Sequence, residues 1–133
     1  YEAMMKSINI IKANTKIGNI GYTIQKIVEA EGFSVVRDFC GHGIGKNFHE
    51  SPNVLHYGEK DSGQELKEGM IFTVEPMINS GKFETKTLKD GWTAVTKDKS
   101  LSAQFEHTVG VTKEGYEIFT LSKKGLNFPP NLK

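Results

Sequence analysis

The sequence predicts an α+β domain with two helices first and a mostly antiparallel sheet after them. Three observations carry this. Apolar residues recur at three- and four-residue steps only as far as about residue 31. From residue 33 onward they fall in short runs with two-residue alternation. The runs are separated by glycine-bearing turn signals, which suit hairpins. The chain has 133 residues, 37% apolar and 25% charged. That suits one globular domain with a genuine core.

The first helix places Met4, Met5, Ile8 and Ile11 on one face, and Asn14-Thr15-Lys16 interrupts the pattern. A second helix is expected over about 19–31. Asn19 would be its N-cap, and Ile20, Ile24, Ile27 and Val28 its apolar stripe. Gly32 stands where a left-handed C-terminal residue is wanted. Phe33-Ser34-Val35-Val36 reads as a short strand. It leads to Cys40-Gly41-His42-Gly43-Ile44-Gly45, read as a glycine-rich loop, and 46–68 reads as irregular, with Pro52 inside it. The strongest strand is 70–75; Pro76 has no N–H to donate and should end or bend it. Lys89-Asp90-Gly91 and Lys113-Glu114-Gly115 mark turns, and the last strands are expected at 103–111 and 116–121. The tail, 126–133, is expected to be loose.

Composition excludes several classes. Seventeen Lys and Arg face sixteen Asp and Glu, a net charge of +1, so no bulk field draws nucleic acid. No stretch approaches the roughly 18 apolar residues of a membrane span. Cys40 is the single cysteine, so no internal disulfide forms and a reducing, cytoplasmic setting is expected. The start, Tyr1-Glu2-Ala3-Met4-Met5, lacks the basic and apolar regions of a signal peptide; without Met at position 1, a processed or shortened chain is expected. Gly43-Ile44-Gly45-Lys46 lacks the context of a phosphate loop, and Asn47 stands where Ser or Thr is needed.

The candidate chemistry begins with the histidines at 42, 49, 56 and 107. Glycines flanking His42 remove bulk and let an imidazole sit close to another group. Strand parity puts Ile71, Thr73 and Glu75 on one face, and Met70, Phe72 and Val74 on the core face. The same parity groups Gln104, Glu106 and Thr108, and turns Phe105, His107, Val109 and Val111 to the apolar side. One imidazole and two carboxylates from three segments make a divalent-metal set if they converge. A solvated strand face beside a glycine turn fits the same pattern, and spacing leaves both open. His107 reads as a buried hydrogen-bonding group, His56 has no evident partner, and Cys40 reads as a small buried side chain.

Four segments carry a resemblance. They are Cys40 to Gly45 as quoted, Phe48-His49-Glu50, Gly69-Met70-Ile71-Phe72-Thr73-Val74-Glu75-Pro76, and Asp90-Gly91-Trp92 through Ser102-Ala103-Gln104-Phe105-Glu106-His107-Thr108. Over about residues 1–125 the chain closely resembles the C-terminal half of bacterial-type (type I) methionine aminopeptidases. Prolidase-type relatives share the Gly-His-Gly and Val-Glu-Pro elements but carry a Glu-Asp-type pair where this chain has Glu106-His107-Thr108. Type II enzymes carry a long helical insertion between the Glu75 and Glu106 segments.

The resemblance implies half of a pita-bread fold and a metal-dependent aminopeptidase that removes the initiator methionine from nascent proteins. It implies two divalent ions, Mn, Fe, Co or Zn, bound by two Asp, one His and two Glu. His42, Glu75 and Glu106 match the His and both Glu. Glu106 would bridge the ions and Glu75 would also act as general acid and base. His49 would polarise the scissile carbonyl, and Phe48 and Trp92 would line the methionine pocket. Both metal-binding aspartates lie upstream in the family; Asp38, Asp61, Asp90 and Asp98 do not match them. Residues 1–133 are therefore expected to be the C-terminal portion of one catalytic domain, inactive alone and holding at most one ion weakly. Expected partners are nascent N-termini, the ribosome, and the absent half or a second copy. Neither nucleic-acid reading nor membrane association is expected. Ile8, Ile11, Phe105 and Val109 are candidates for apolar surface left exposed toward that half. The alternatives are a prolidase- or aminopeptidase P-like enzyme, a catalytically dead peptide- or protein-binding module, and a metal-free structural domain.

Overall fold

The apolar stripe of the second helix is the spine of the core. A computed structural model describes residues 1–124; the tail at 126–133 lies outside them. Helix α1 spans Glu2–Ile8 and helix α2 spans Gly18–Ala30. Ile20, Ile24 and Val28 of α2 are buried against Met4 and Ile8 of α1, Ile11, and Phe72, Val74 and Val109 of the sheet.

The start of α2 differs from the expectation. Ile17, not Asn19, is the N-cap, and no side chain caps the helix. The Ile17 and Gly18 N–H groups donate instead to the carbonyls of Gln64 and Ser62, both at 3.0 Å. A neighbouring loop thus satisfies donors that a side chain usually meets. Asn19 is turned to that loop. Its amide donates to Asp61 Oδ1 at 3.0 Å, and its Oδ1 accepts the Asp61 N–H at 2.6 Å. The other end is as expected. Gly32 has φ +77°, its N–H donates to Glu29 O, and the Phe33 N–H donates to Val28 O, the two bonds of a Schellman cap.

Ten strands follow among the described residues: β1 Ser34–Val35, β2 Gly41–Gly43, β3 Glu50–Val54, β4 Ile71–Val74, β5 Met77–Asn79, β6 Thr85–Thr87, β7 Ala94–Thr96, β8 Ser102–Gln104, β9 His107–Val111 and β10 Tyr116–Ile118. They form a five-stranded sheet in the order β10-β9-β4-β2-β3, a three-stranded sheet β1-β5-β8 and a β6-β7 hairpin. Every pairing is antiparallel.

Three strand expectations are corrected. The glycine loop contains β2, and the stretch read as irregular contains β3. Neither shows alternation, because Gly41 and Gly43 have no side chains and Glu50-Ser51-Pro52-Asn53 is polar. Strand β3 lies at a sheet edge, where Pro52 is tolerated. The single strand expected at 103–111 is two strands in two sheets, while the strand before Pro76 ends there as expected. The pairs Val74↔His107 and Met77↔Gln104 keep one register across both breaks. Extending it sets Glu75 opposite Glu106 and Pro76 opposite Phe105.

The expected exposed apolar surface is also corrected. Ile8, Ile11 and Val109 are fully buried in the core, whereas Phe105 is partly exposed. Phe105 does line an apolar surface cleft of about 590 Å³, together with Tyr1, Ile27, Phe33, Ile78 and Leu101 among others.

Gly21 tests the packing. A Cβ there would lie 2.5 Å from Tyr57 O and 2.6 Å from Leu55 O. Helix propensity favours Ala by about 1 kcal/mol, but displacing two backbone carbonyls costs about 1–3 kcal/mol. Gly21→Ala is expected to lower stability, read as a lower urea midpoint; an unchanged or higher midpoint contradicts this packing.

Candidate metal-binding site

Glycine is required around His42 because three strands approach closely there. A Cβ at Gly41 would stand 2.2 Å from Thr73 O, and one at Gly43 would stand 2.2 Å from Ser51 O. The strand register shifts between His42 and Gly43, an irregularity at the expected ligand. The His42 N–H donates to Thr73 Oγ1 at 2.9 Å, and that hydroxyl donates to Glu75 Oε1 at 2.7 Å. His42 Nδ1 lies 3.0 Å from Gly43 O. A carbonyl only accepts, so Nδ1 carries a hydrogen, and in the neutral ring Nε2 is then the nitrogen with the free lone pair. That Nε2 lies 3.8 Å from Glu75 Oε1.

Glu75 is half-buried, and burial is the first cause that raises its pKa. The Thr73 hydrogen bond opposes the rise, the Glu106 charge adds to it, and His42 and His49 oppose it. Like charges opposed across a strand pair repel, so the register puts an unfavourable pair where a cation would be welcome. The donor set, one imidazole nitrogen and two carboxylates, suits a borderline divalent ion. His42 and Glu75 are the close pair; among the described residues no three His, Cys, Asp or Glu side chains converge enough to hold an ion.

Parity is only partly confirmed. Thr73 shares the face of Glu75 but is 1% exposed, because β2 and β9 flank β4 and the His42 backbone covers its hydroxyl. The other predicted residues divide. The His49 ring centroid lies 4.2 Å from that of His42, and the Phe48 centroid lies 5.2 Å from His42 and 4.7 Å from His49. Glu50 shapes their loop by accepting the Asn47 N–H at 2.7 Å. Trp92 is 89% exposed in the β6–β7 connection, its N–H donating to Asp90 Oδ1; no ring contact joins it to the histidines among the described residues. The aspartates serve loops. Asp38 bonds Thr85, Asp61 bonds Asn19, Asp90 bonds Trp92 and Thr93, and Asp98 bonds Lys82 and Ser100. His107 Nδ1 meets Thr120 Oγ1 at 2.8 Å, the buried hydrogen bond expected of it. Burial first, then Glu75, pushes the Cys40 thiol up, away from a reactive thiolate.

His56 is the residue that sequence reasoning missed. It is 2% exposed, and its Nε2 accepts the Glu75 N–H at 3.1 Å. No local signal marks it, since its partner is nineteen positions away.

The sequence profile of metallopeptidase family M24 matches residues 1–113. A methionine aminopeptidase of Rickettsia prowazekii is 60% identical over 98% of this chain and 51% of its own length. One from Escherichia coli K12 is 57% identical over 92% of this chain and 46% of its own. The crystal structure of the Rickettsia prowazekii enzyme matches with a TM-score of 0.89, covering 91% of this chain and 49% of that one. A prolidase from Pyrococcus furiosus, 23% identical, matches with a TM-score of 0.67 over 92% of this chain and 30% of that one, a likeness of fold alone. The chain spans about half the length of the curated relatives it matches.

Burial pushes the His56 pKa down to about 4, against about 6.5 in an unfolded chain. Between those values the unfolded chain binds the extra proton, so stability is complete above about pH 6.5 and falls as pH drops toward 4. The loss attributable to His56 approaches about 3 kcal/mol. Urea midpoints measured from pH 7.5 to 4.5 are expected to fall in this window, less steeply in His56→Gln; equal slopes contradict the assignment.

Proposed function

The chain belongs to metallopeptidase family M24, and from that premise we propose that it is the C-terminal half of a metal-dependent aminopeptidase that removes the initiator methionine from nascent proteins. The observation that carries this reading is the approach of His42 Nε2 to Glu75 Oε1 beside a second carboxylate, Glu106, set opposite in register. The fold is half of the pita-bread fold of that family.

His42 Nε2 and the Glu75 and Glu106 carboxylates would hold divalent ions. Such ions polarise a peptide carbonyl and acidify a water. Mn, Fe, Co and Zn all suit these donors. Glu75 would take the proton of the attacking water, a role favoured by its raised proton affinity. Thr73 donates to Oε1 at 2.7 Å and the Gln104 amide reaches Oε2 at 3.5 Å, so both oxygens of that carboxylate are oriented by neighbours. His49, one ring away from His42, would donate to the substrate carbonyl. Phe48 already packs on both histidines and would line the methionine pocket; Trp92 would complete it from the β6–β7 turn.

Two divalent ions carry four positive charges and two glutamates supply two negative ones, so the remaining ligands must come from elsewhere. The upstream half found in the relatives is the proposed source, and the apolar cleft of about 590 Å³ its proposed seat. The same half would complete the setting for nascent N-termini on the ribosome in the cytoplasm. No helix among the described residues is long and apolar enough to cross a membrane.

Full-length protein loaded with Mn or Co is expected to cleave Met-Ala peptides and to leave X-Pro peptides intact. Residues 1–133 alone are expected to show no comparable turnover and to self-associate in sedimentation. Cleavage of X-Pro substrates favours the prolidase-like alternative, and no cleavage with retained peptide binding favours the binding module. In the full-length enzyme Glu75→Gln is expected to lower kcat by about 10²–10⁴-fold; a change under threefold removes Glu75 from the mechanism.

A further inference from the structure

Glu75 sits at a difficult place for a precise side chain. Strand β4 ends at Val74 and β5 begins at Met77, so residue 75 belongs to neither ladder. Pro76 follows and adds no donor of its own. A glutamate there has three torsions to fix, worth about 1.5–2 kcal/mol of rotamer entropy. Its backbone N–H also needs a partner within a partly buried site.

Two buried polar side chains meet those needs. Thr73 Oγ1 donates to Glu75 Oε1 at 2.7 Å while accepting the His42 N–H at 2.9 Å. His56 Nε2 accepts the Glu75 N–H at 3.1 Å. Thr73 is 1% exposed and His56 2% exposed. Neither side chain has another hydrogen-bond partner that would explain its burial. His56 is itself held by packing. It lies between Leu55 and Tyr57, whose carbonyls press on Gly21 of α2.

We propose that Thr73 and His56 are positioning residues that fix Glu75 from both ends, Thr73 by its carboxylate and His56 by its backbone, and that Thr73 locks His42 to Glu75 through one hydroxyl. This rests on the reading of His42 and Glu75 as metal ligands. Partners that orient ligands typically carry a factor of about 10–100 in metal affinity.

The test uses full-length protein and Mn²⁺ titrated calorimetrically. Thr73→Val keeps the shape and removes the hydroxyl; His56→Leu removes the acceptor. Each is expected to weaken Mn²⁺ binding about 10–100-fold. Thr73→Ser and His56→Gln, which restore a hydroxyl and an acceptor, are expected to recover most of it. Ser7→Ala is the stability control. It deletes a buried 2.7 Å hydrogen bond to Met4 O in α1, and is expected to lower the melting temperature without changing Mn²⁺ affinity.

Unchanged affinity in Thr73→Val and His56→Leu, with wild type binding normally, overturns this inference and leaves the proposed function standing. Equal weakening in Ser7→Ala also overturns it, because stability alone would then account for the effect. No Mn²⁺ binding by wild type overturns the metal reading and the inference with it. If the apolar variants do not fold, the wild-type Glu75 amide decides. Strong protection from hydrogen exchange supports the inference, and exchange at the rate of an open loop overturns it.

Discussion

Two carboxylates held opposite one another, where a two-stranded ribbon passes between sheets, are the constraint around which this half-fold is arranged. β4 and β9 pair in one sheet and β5 and β8 in the next, with the register unbroken between them. Glu75 and Glu106 occupy the gap. Opposed like charges destabilise a strand pair, and burial makes the Glu75 charge costlier still. Thr73 and the nearby histidines offset part of that cost. Membership of metallopeptidase family M24 gives that strain a context, since a cation would relieve it.

The scaffold meets the constraint by close backbone approach. Gly41 and Gly43 let β2 lie against β4 and β3 without side chains between them, which brings the His42 imidazole to within 3.8 Å of Glu75. Gly21 does the same one layer away, letting α2 press on the loop that carries His56. The glycines and His56 thus act as parts of one support, although they are scattered along the chain from Gly21 to His56.

Polar side chains away from the site have a different task. The four aspartates all cap or brace loops, and Asp98 is held down to about 2, first by the Lys82 N–H and then by Ser100. None is drawn toward His42. The apolar cleft lined by Tyr1, Ile27, Phe33, Ile78, Leu101 and Phe105 lies apart from these braced loops.

Much was legible in the residues themselves. The helices, the Schellman cap at Gly32 and the strong strand before Pro76 follow from spacing and from glycine's conformational freedom, and the quoted motifs single out His42 and Glu75, whose approach to 3.8 Å is a tertiary fact. These are short-range or motif-level signals that a single chain carries openly. The strand identity of β2 and β3, the division of 103–111 between two sheets, the start of α2 and the role of His56 were decided by tertiary structure. In each case remote parts of the chain decided the outcome: β4 and the β2–β3 pairing around the glycines, β4 and β5 beside the two halves of 103–111, Gln64 and Ser62 at the helix start, and Glu75 beside His56. Local periodicity records which side chains prefer the interior; it does not record which remote backbone groups satisfy one another.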